Sequence, residues 1–169
     1  MRRLLTALAT ATTAAACILT AAPAATAAPA QPGGRDAAGN SVSTAATWET
    51  DTAVAGTPPS GLPCKSATGV TVCFEAHGDI LWVKDTVADG YAAIASWENY
   101  LRNSSGTWQF YRHGECDNKL TAGHWGYCNK DFYEDTTLNT YGGYGSGLRL
   151  YPCTSSLCST DYLWVRNNA

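Results

Sequence analysis

The chain has 169 residues, which at roughly 150 residues per domain corresponds to one domain with its ends and excludes a two-domain enzyme. Its 11 basic and 14 acidic residues give a net charge of −3, so the charge does not favour nucleic acid as a partner. Charged residues make up only 15% of the chain, whereas Gly, Tyr, Trp and Cys are frequent. This balance is typical of a small disulfide-bonded β-protein.

The first 30 residues have the features of a secretory signal peptide. Arg2 and Arg3 provide a positive start, residues 4–19 are uncharged and rich in Ala, Leu and Thr, and small residues follow. We predict export by the general secretory route, with cleavage after Ala30 or alternatively after Ala27. A retained membrane anchor is less favoured, because the run is only mildly apolar and lies near the lower length limit for a membrane span.

Residues 31–60 are rich in Ala, Gly, Ser, Thr and Pro and contain few large apolar side chains. Such a segment cannot recover the conformational entropy lost on ordering, so we predict a flexible tail. Trp48 is an exception, and two alternatives remain open for it: it docks on the domain within an extra strand, or it stays free. The compact domain is predicted to span residues 61–169.

Seven cysteines are present, and Cys17 lies in the predicted leader. The other six are an even number in an exported chain, which predicts three disulfides. They form three couples that are close in sequence, each around turn-forming residues, so we predict pairing within each couple. The predicted bridges are Cys64 with Cys73, Cys116 with Cys128, and Cys153 with Cys158. A zinc site is disfavoured because no Cys-x-x-Cys and no closely spaced pair of histidines occurs.

Within the compact domain, apolar residues alternate over short runs that Gly, Asn, Asp and Ser interrupt, which is the pattern of half-buried antiparallel strands. We therefore predict an all-β fold, a small antiparallel β-sandwich or barrel with seven or eight strands. The strands are expected near residues 70–74, 80–85, 91–98, 107–113, 124–129, 148–152 and 162–165.

Two details of these strands carry further expectations. Four consecutive apolar residues at 80–83 indicate a central strand buried on both faces, with Trp82 in the core. Residues 91–102 also fit a helical stripe that Asp89 would cap. A strand is preferred there, because the Asp-Gly turn before it favours a hairpin.

Residues 80–90, which contain an Asp-Thr-x-Ala-Asp-Gly element, and residues 123–128 resemble a group of small secreted actinobacterial proteins. The resemblance covers about residues 69–128. It implies that the Asp-Gly element joins two strands and that the chain is exported by a bacterium. It implies no activity.

Three histidines are the candidates for acid–base chemistry. His77 lies near Asp79, and His113 lies near Glu115, but both are interpreted as solvated turn residues. His124 could complete a triad, yet no Gly-x-Ser-x-Gly elbow supplies a nucleophile. We therefore predict no catalytic residue and no cofactor.

The acidic residues offer two further hypotheses. Asp79, Asp85 and Asp89 could gather oxygen ligands for calcium, but their spacing fits no EF-hand, and turn capping is the preferred role. A second group is interpreted as solvated loop surface rather than a glycosidase pair: Asp131, Glu134 and Asp135.

The aromatic residues are the most informative feature, because their number exceeds what a core of this size needs to bury. Tyr141 and Tyr144, in the glycine-rich segment 141–147, are the best candidates for exposed binding residues. Trp108 and Trp125 join them if their strand faces point outward. Such rings offer flat surfaces to a sugar or a protein partner. The alternative is that this segment is only a mobile connection.

These observations predict a secreted, monomeric, non-catalytic binding module for a cell-wall or other extracellular glycan, or for another secreted protein. No metal and no membrane association after cleavage are expected. The first alternative is a protein inhibitor of an extracellular hydrolase, with a rigid inhibitory loop near residues 153–158 or 141–147. The second is a small secreted hydrolase that uses His124 or His77.

Overall fold

A computed structural model describes residues 48–169. The predicted signal peptide and most of the predicted tail lie outside the described residues. The described part of the chain contains ten strands and no helix, so the all-β prediction is confirmed and the helical alternative for residues 91–102 is wrong. The strands are β1 (Trp48–Thr52), β2 (Val54–Ala55), β3 (Cys64–Ala67), β4 (Val70–Glu75), β5 (Ile80–Asp85), β6 (Ala93–Asn103), β7 (Trp108–Asn118), β8 (Trp125–Asn129), β9 (Gly142–Thr154) and β10 (Leu163–Asn167).

The strands form a sandwich of two five-stranded sheets. The front sheet has the order β1-β7-β6-β9-β10, and the back sheet has the order β2-β8-β5-β4-β3. Neighbouring strands are antiparallel except β1 and β7, which are parallel. Strand β5 lies at the centre of the back sheet, as its run of apolar residues predicts.

The core lies between the sheets and is built from alternate residues of each strand. In β4, Val70, Val72 and Phe74 face inward and are almost fully buried, as predicted. The prediction for Trp82 is wrong in one respect. Its ring is buried, but it lies on the outer side of the back sheet, because its register partners are Cys73 and Tyr127.

The domain begins before residue 61, so the predicted boundary is too late. Strand β1 extends the front sheet along β7, Ala53 N–H donates to the carbonyl of Asp117 at 2.8 Å, and β2 extends the back sheet along β8. Residues 48–55 therefore cover one edge of each sheet. Of the two alternatives for Trp48, the extra strand is the one that the structure contains.

The sequence of β7 makes room for this added strand. Gly114 faces the backbone of Glu49, and a Cβ at position 114 would lie 2.1 Å from the Glu49 carbonyl oxygen. The Glu49 carboxylate accepts hydrogen bonds from Arg112 and Lys130, each at 3.0 Å. Lys130 also pairs with Asp51, and its ammonium lies 5.0 Å from the ring centroid of the buried Trp97. Charge pairing and the close approach at Gly114 together hold β1 in place.

The three predicted disulfides are all present. Cys116–Cys128 joins β7 of the front sheet to β8 of the back sheet, and both residues are buried in the core. Cys64–Cys73 links the neighbouring strands β3 and β4, on the face opposite the core residues of β4. Cys153–Cys158 closes a short turn at the end of β9. Across residues 48–169, no helix has the length and apolar character needed to cross a membrane.

The inter-sheet disulfide is expected to stabilise the fold more than the turn disulfide. Replacing Cys116 and Cys128 with Ala should lower the free energy of unfolding by about 3 kcal/mol, because this bridge closes the longer loop. Replacing Cys153 and Cys158 with Ala, the matched control, should cost about 2 kcal/mol. Urea unfolding followed by tryptophan fluorescence measures both, and a larger loss for the turn disulfide would contradict the prediction.

Candidate functional site

The outer side of the front sheet carries a continuous group of aromatic side chains. Because side chains alternate along a strand, Trp97, Asn99 and Leu101 of β6 enter the core while Glu98 and Tyr100 point outward. We call the outward aromatic residues of this sheet and its flank the aromatic face: Tyr100, Trp108, Phe110, Tyr151, Tyr162 and Trp164.

The rings of the aromatic face touch one another edge to face. The ring centroids of Trp108 and Trp164 are 5.3 Å apart. The ring centroid of Tyr100 lies 5.8 Å from that of Trp164 and 5.8 Å from that of Phe110. Phe110, Tyr162 and Trp164 leave 38–40% of their surface exposed. Beyond Phe110, His113 and Trp48 continue the contact toward the edge of the sheet. Contacts of this kind hold the rings in fixed orientations.

Gly147 of β9 forms the floor beneath the two indoles. A Cβ at this position would lie 2.6 Å from the ring of Trp164 and 3.4 Å from that of Trp108. In the register of the sheet, Gly147 lies between Tyr100 of β6 and Arg166 of β10. The missing side chain allows both indoles to lie close to the backbone. The indole planes are inclined at 79° to each other, so they do not form a single plane above Gly147.

A network of polar groups lies within the aromatic face. Tyr100 Oη donates to Glu98 Oε2 at 2.8 Å, and Tyr151 Oη donates to the same oxygen at 3.2 Å. Arg149 donates to Tyr100 Oη at 2.9 Å, and its guanidinium lies 4.7 Å from the Tyr100 ring centroid and 5.0 Å from that of Tyr162. Burial, followed by the hydrogen bond to Glu98, raises the pKa of Tyr100 to about 12.

This arrangement suits binding. It offers apolar rings, the carboxylate of Glu98 and two guanidinium groups, those of Arg149 and of Arg102, which lies 5.6 Å from the ring centroid of Trp108. The side chains of Glu98 and Arg149 are 33% and 37% exposed, so each can still accept or donate a hydrogen bond to a ligand.

The structure does not bring the four predicted binding residues together. Trp108 belongs to the aromatic face, but Trp125 lies on the outer side of the back sheet beside Lys84, whose ammonium is 5.7 Å from its ring centroid. Tyr141 lies at the edge of the front sheet, where its hydroxyl donates to the carbonyl of Phe110 at 3.3 Å.

The glycine-rich segment that carries Tyr144 is a strand for most of its length. Strand β9 begins at Gly142, so the predicted flexible loop at 141–147 is wrong. Tyr144 is exposed and forms an isolated bridge with Leu138. It therefore lies apart from the aromatic face.

Five members of the aromatic face do not appear among the predicted binding residues. Their signal is present in the sequence as alternation: Tyr100 is out of phase with the core residues Trp97 and Leu101, and Trp164 is out of phase with Val165. Alternation identifies two faces of a strand, but it does not reveal which one the second sheet covers.

The histidines are spread over the fold. His77 lies in the turn between β4 and β5, as predicted. His113 is wrongly predicted as a turn residue, since it lies within β7 and its ring packs 4.6 Å from that of Trp48. His124 directly precedes β8, where its Nδ1 lies 3.0 Å from the Thr121 hydroxyl.

Asp79 lies in the turn between β4 and β5, and its side chain is buried. Its backbone has a positive φ of 55°, and its carboxylate accepts hydrogen bonds from Phe132 N–H at 2.9 Å and Asn167 Nδ2 at 2.8 Å. Burial raises the pKa of this carboxyl. Asp79 thus joins the β4–β5 turn to the segment after β8 and to β10.

Asp85 and Asp89 have the predicted turn roles, because they accept the N–H groups of Val87 and Tyr91, each at 3.0 Å. Asp135, predicted as solvated, forms a bidentate ion pair with Arg166 at 2.8 Å. Within the described range, no group of three or more His, Cys, Asp or Glu residues is arranged to hold a metal ion.

The turn at residues 153–158, the inhibitory loop of the alternative hypothesis, is tight and internally bonded. Thr154 N–H donates to the carbonyl of Leu157 at 2.8 Å, and the Leu157 side chain projects into solvent.

No family model, curated protein or solved structure matches the chain. The resemblance of residues 80–90 and 123–128 to secreted actinobacterial proteins stays a prediction.

The ionisation of Tyr100 offers a test of the polar network. Glu98→Gln should lower the pKa of Tyr100 from about 12 toward its ordinary value, because the hydrogen bond to a charged acceptor and the nearby negative charge are removed. Because the folded pKa is raised, the contribution of Tyr100 to stability is present below about pH 10 and is lost as the pH rises toward 12.

Carbon-13 NMR of labelled tyrosine side chains, recorded between pH 9 and pH 13, measures this ionisation directly. Glu75→Gln is the control, because Glu75 binds Trp82 on the back sheet and does not contact Tyr100. A Tyr100 pKa that is unchanged in Glu98→Gln would contradict the assigned network.

Proposed function

We propose that this protein is an exported binding module that attaches to a polysaccharide through the aromatic face. The observation that carries the proposal is the pair of indoles, Trp108 and Trp164, lying over the bare backbone of Gly147. The apolar C–H faces of sugar rings pack on exposed indole and phenol rings, and this contact requires a flat and accessible surface.

The polar groups of the face favour a sugar over a protein as the ligand. Glutamate is depleted in protein–protein interfaces, whereas the carboxylate of Glu98 lies within this face. Sugar hydroxyls both donate and accept hydrogen bonds, so they can satisfy a carboxylate and a guanidinium at once. The aromatic rings would provide contact area, and the charged pair would orient the sugar ring.

Extracellular location is the second part of the proposal. The three disulfides are compatible with an oxidising environment. The signal-peptide features of residues 1–30 support the same location. An exported binding module would meet cell-wall or environmental polysaccharide without needing a cofactor.

Retention on insoluble polysaccharide tests the proposal. The protein is incubated with chitin, cellulose or purified cell-wall sacculi, and the bound fraction is measured over a range of protein concentrations. We expect retention on at least one of these solids. Trp108→Ala combined with Trp164→Ala should weaken it by about tenfold or more, because two stacking surfaces are lost.

Trp125→Ala is the matched control, since it removes an indole from the opposite side of the sandwich. Its retention should equal that of the unchanged protein. Equal retention of the double variant and the unchanged protein would reject the aromatic face as the binding surface. Absence of retention on all three solids would reject the proposed function.

The floor of the face can be tested without removing a ring. Gly147→Ala places a methyl group where the indole of Trp164 now lies, and the partly exposed indoles can move outward to accommodate it. We expect a several-fold loss of polysaccharide retention with little change in the melting temperature. Full retention by Gly147→Ala, measured in the same assay, would contradict the role of Gly147 in positioning the two indoles for polysaccharide binding.

A further inference from the structure

A cleft lies next to the aromatic face, at the edge of the sandwich. Its volume is about 360 Å³, and it lies between β7 and the segment that follows β8. The lining residues are Tyr111, Arg112, Asp131, Phe132, Tyr133, Glu134 and Thr137. None of these residues belongs to the aromatic face.

A β-bulge separates the two surfaces. Arg112 pairs with Asn99 and Phe110 pairs with Tyr100, so Tyr111 is an extra residue without a partner in β6. Phe110 therefore joins the aromatic face, whereas Tyr111 lines the cleft. The Tyr111 ring is held by edge contacts with Tyr133 and Tyr141, at centroid distances of 6.3 and 5.9 Å.

The charges of the cleft limit the ligand that it can accept. Asp131 and Glu134 oppose an anion, and the one cation in the lining, Arg112, is already paired with Glu49 at 3.0 Å. A cation is not opposed, because the charge of Arg112 is paired with Glu49 and the carboxylates of Asp131 and Glu134 attract it. The cleft therefore accepts a neutral or a cationic ligand and opposes an anionic one.

The hydrogen-bonding groups point to a ligand that carries hydroxyls. Glu134 lines the cleft, so its carboxylate offers a hydrogen-bond acceptor to a ligand there. Its oxygen Oε2 is buried and accepts no hydrogen bond from any residue between 48 and 169. The phenol groups of Tyr111 and Tyr133 and the hydroxyl of Thr137 add groups that both donate and accept.

From this combination we infer a second binding site, which takes one hydroxyl-rich ring the size of a monosaccharide, neutral or cationic but not anionic. The volume lies at the small end of ligand pockets. The tyrosine walls pack against the C–H surface of the ring, and Glu134 accepts a hydrogen bond from one of its hydroxyls. The inference uses residues outside the aromatic face and does not depend on the proposed polysaccharide binding.

Nuclear magnetic resonance titration with four monosaccharides tests the site in the protein as exported. Glucose and N-acetylglucosamine are neutral, glucosamine is a cation, and glucuronate is an anion. We expect the neutral sugars to shift the amide signals of residues 131–137 with millimolar affinity, glucosamine to bind at least as tightly, and glucuronate to bind at least several-fold more weakly. Glu134→Gln should weaken binding of the neutral sugars by about tenfold.

Two controls separate this site from the aromatic face. Asp161→Asn changes an exposed carboxylate outside the cleft and should leave the affinity unchanged. The Trp108→Ala and Trp164→Ala double variant should also retain monosaccharide binding at residues 131–137, even where polysaccharide retention is lost. Tyr133→Ala, which removes a wall of the cleft, provides a second variant that should lose binding.

Three results would overturn the inference. The first is the absence of shifts at residues 131–137 with either neutral sugar. The second is binding of glucuronate as tight as that of the neutral sugars, because the two carboxylates of the cleft would then not oppose an anion. The third is unchanged affinity in both Glu134→Gln and Tyr133→Ala.

Discussion

The alternation of side chains along β6 is the constraint on which both the core and the aromatic face depend. Trp97 and Leu101 are fully buried on one side of this strand, and Glu98 and Tyr100 lie on the other. Strand β6 pairs along most of its length with β7 and β9, so its register is set from both edges. A slip of one residue would move the polar network into the core and the core residues into solvent. Stability of the sandwich and integrity of the aromatic face therefore have the same physical origin.

The N-terminal strands complete this arrangement at the edge of the sandwich. Strands β1 and β2 cover β7 and β8, the two strands that the Cys116–Cys128 disulfide joins. Glu49 brings together Arg112 and Lys130, whose cations lie near the ring of Trp97. The same strand brings Trp48 against His113, next to the aromatic face. A segment whose composition suggests a tail thus supports the edge where both candidate sites lie.

The two candidate sites use aromatic residues in different ways. On the aromatic face, the absence of a side chain at Gly147 lets two indoles lie close to the backbone of an open surface. In the cleft, the bulge at Tyr111 directs a phenol ring away from that surface, toward a partly enclosed space that Asp131 and Glu134 also line. An open surface suits a long polymer, because it does not limit the ligand at either end. An enclosed space of this size suits a single ring.

The amino-acid sequence by itself determined the strand pattern and the disulfides, because both depend on short distances along the chain. Alternation over residues 70–74 identifies β4, the apolar run at 80–83 identifies β5, and cysteines close in sequence pair with one another. The hairpin predicted at the Asp-Gly turn is wrong, because β5 lies in the back sheet and β6 in the front sheet, so this turn connects the two sheets. The all-β sandwich follows from these local signals.

Only the tertiary structure decided which face of each strand is covered and which distant segments meet. Trp82, Trp108 and Trp125 all lie in predicted strands, yet Trp82 is buried on the outer side of a sheet, and the other two lie on opposite sides of the sandwich. The parallel pairing of β1 with β7 joins residues far apart in sequence, for which no local pattern exists. The aromatic face and the cleft are both built from residues that are distant in sequence. Alternation specifies only that a strand has two faces. The packing of the second sheet decides which of the two faces remains exposed.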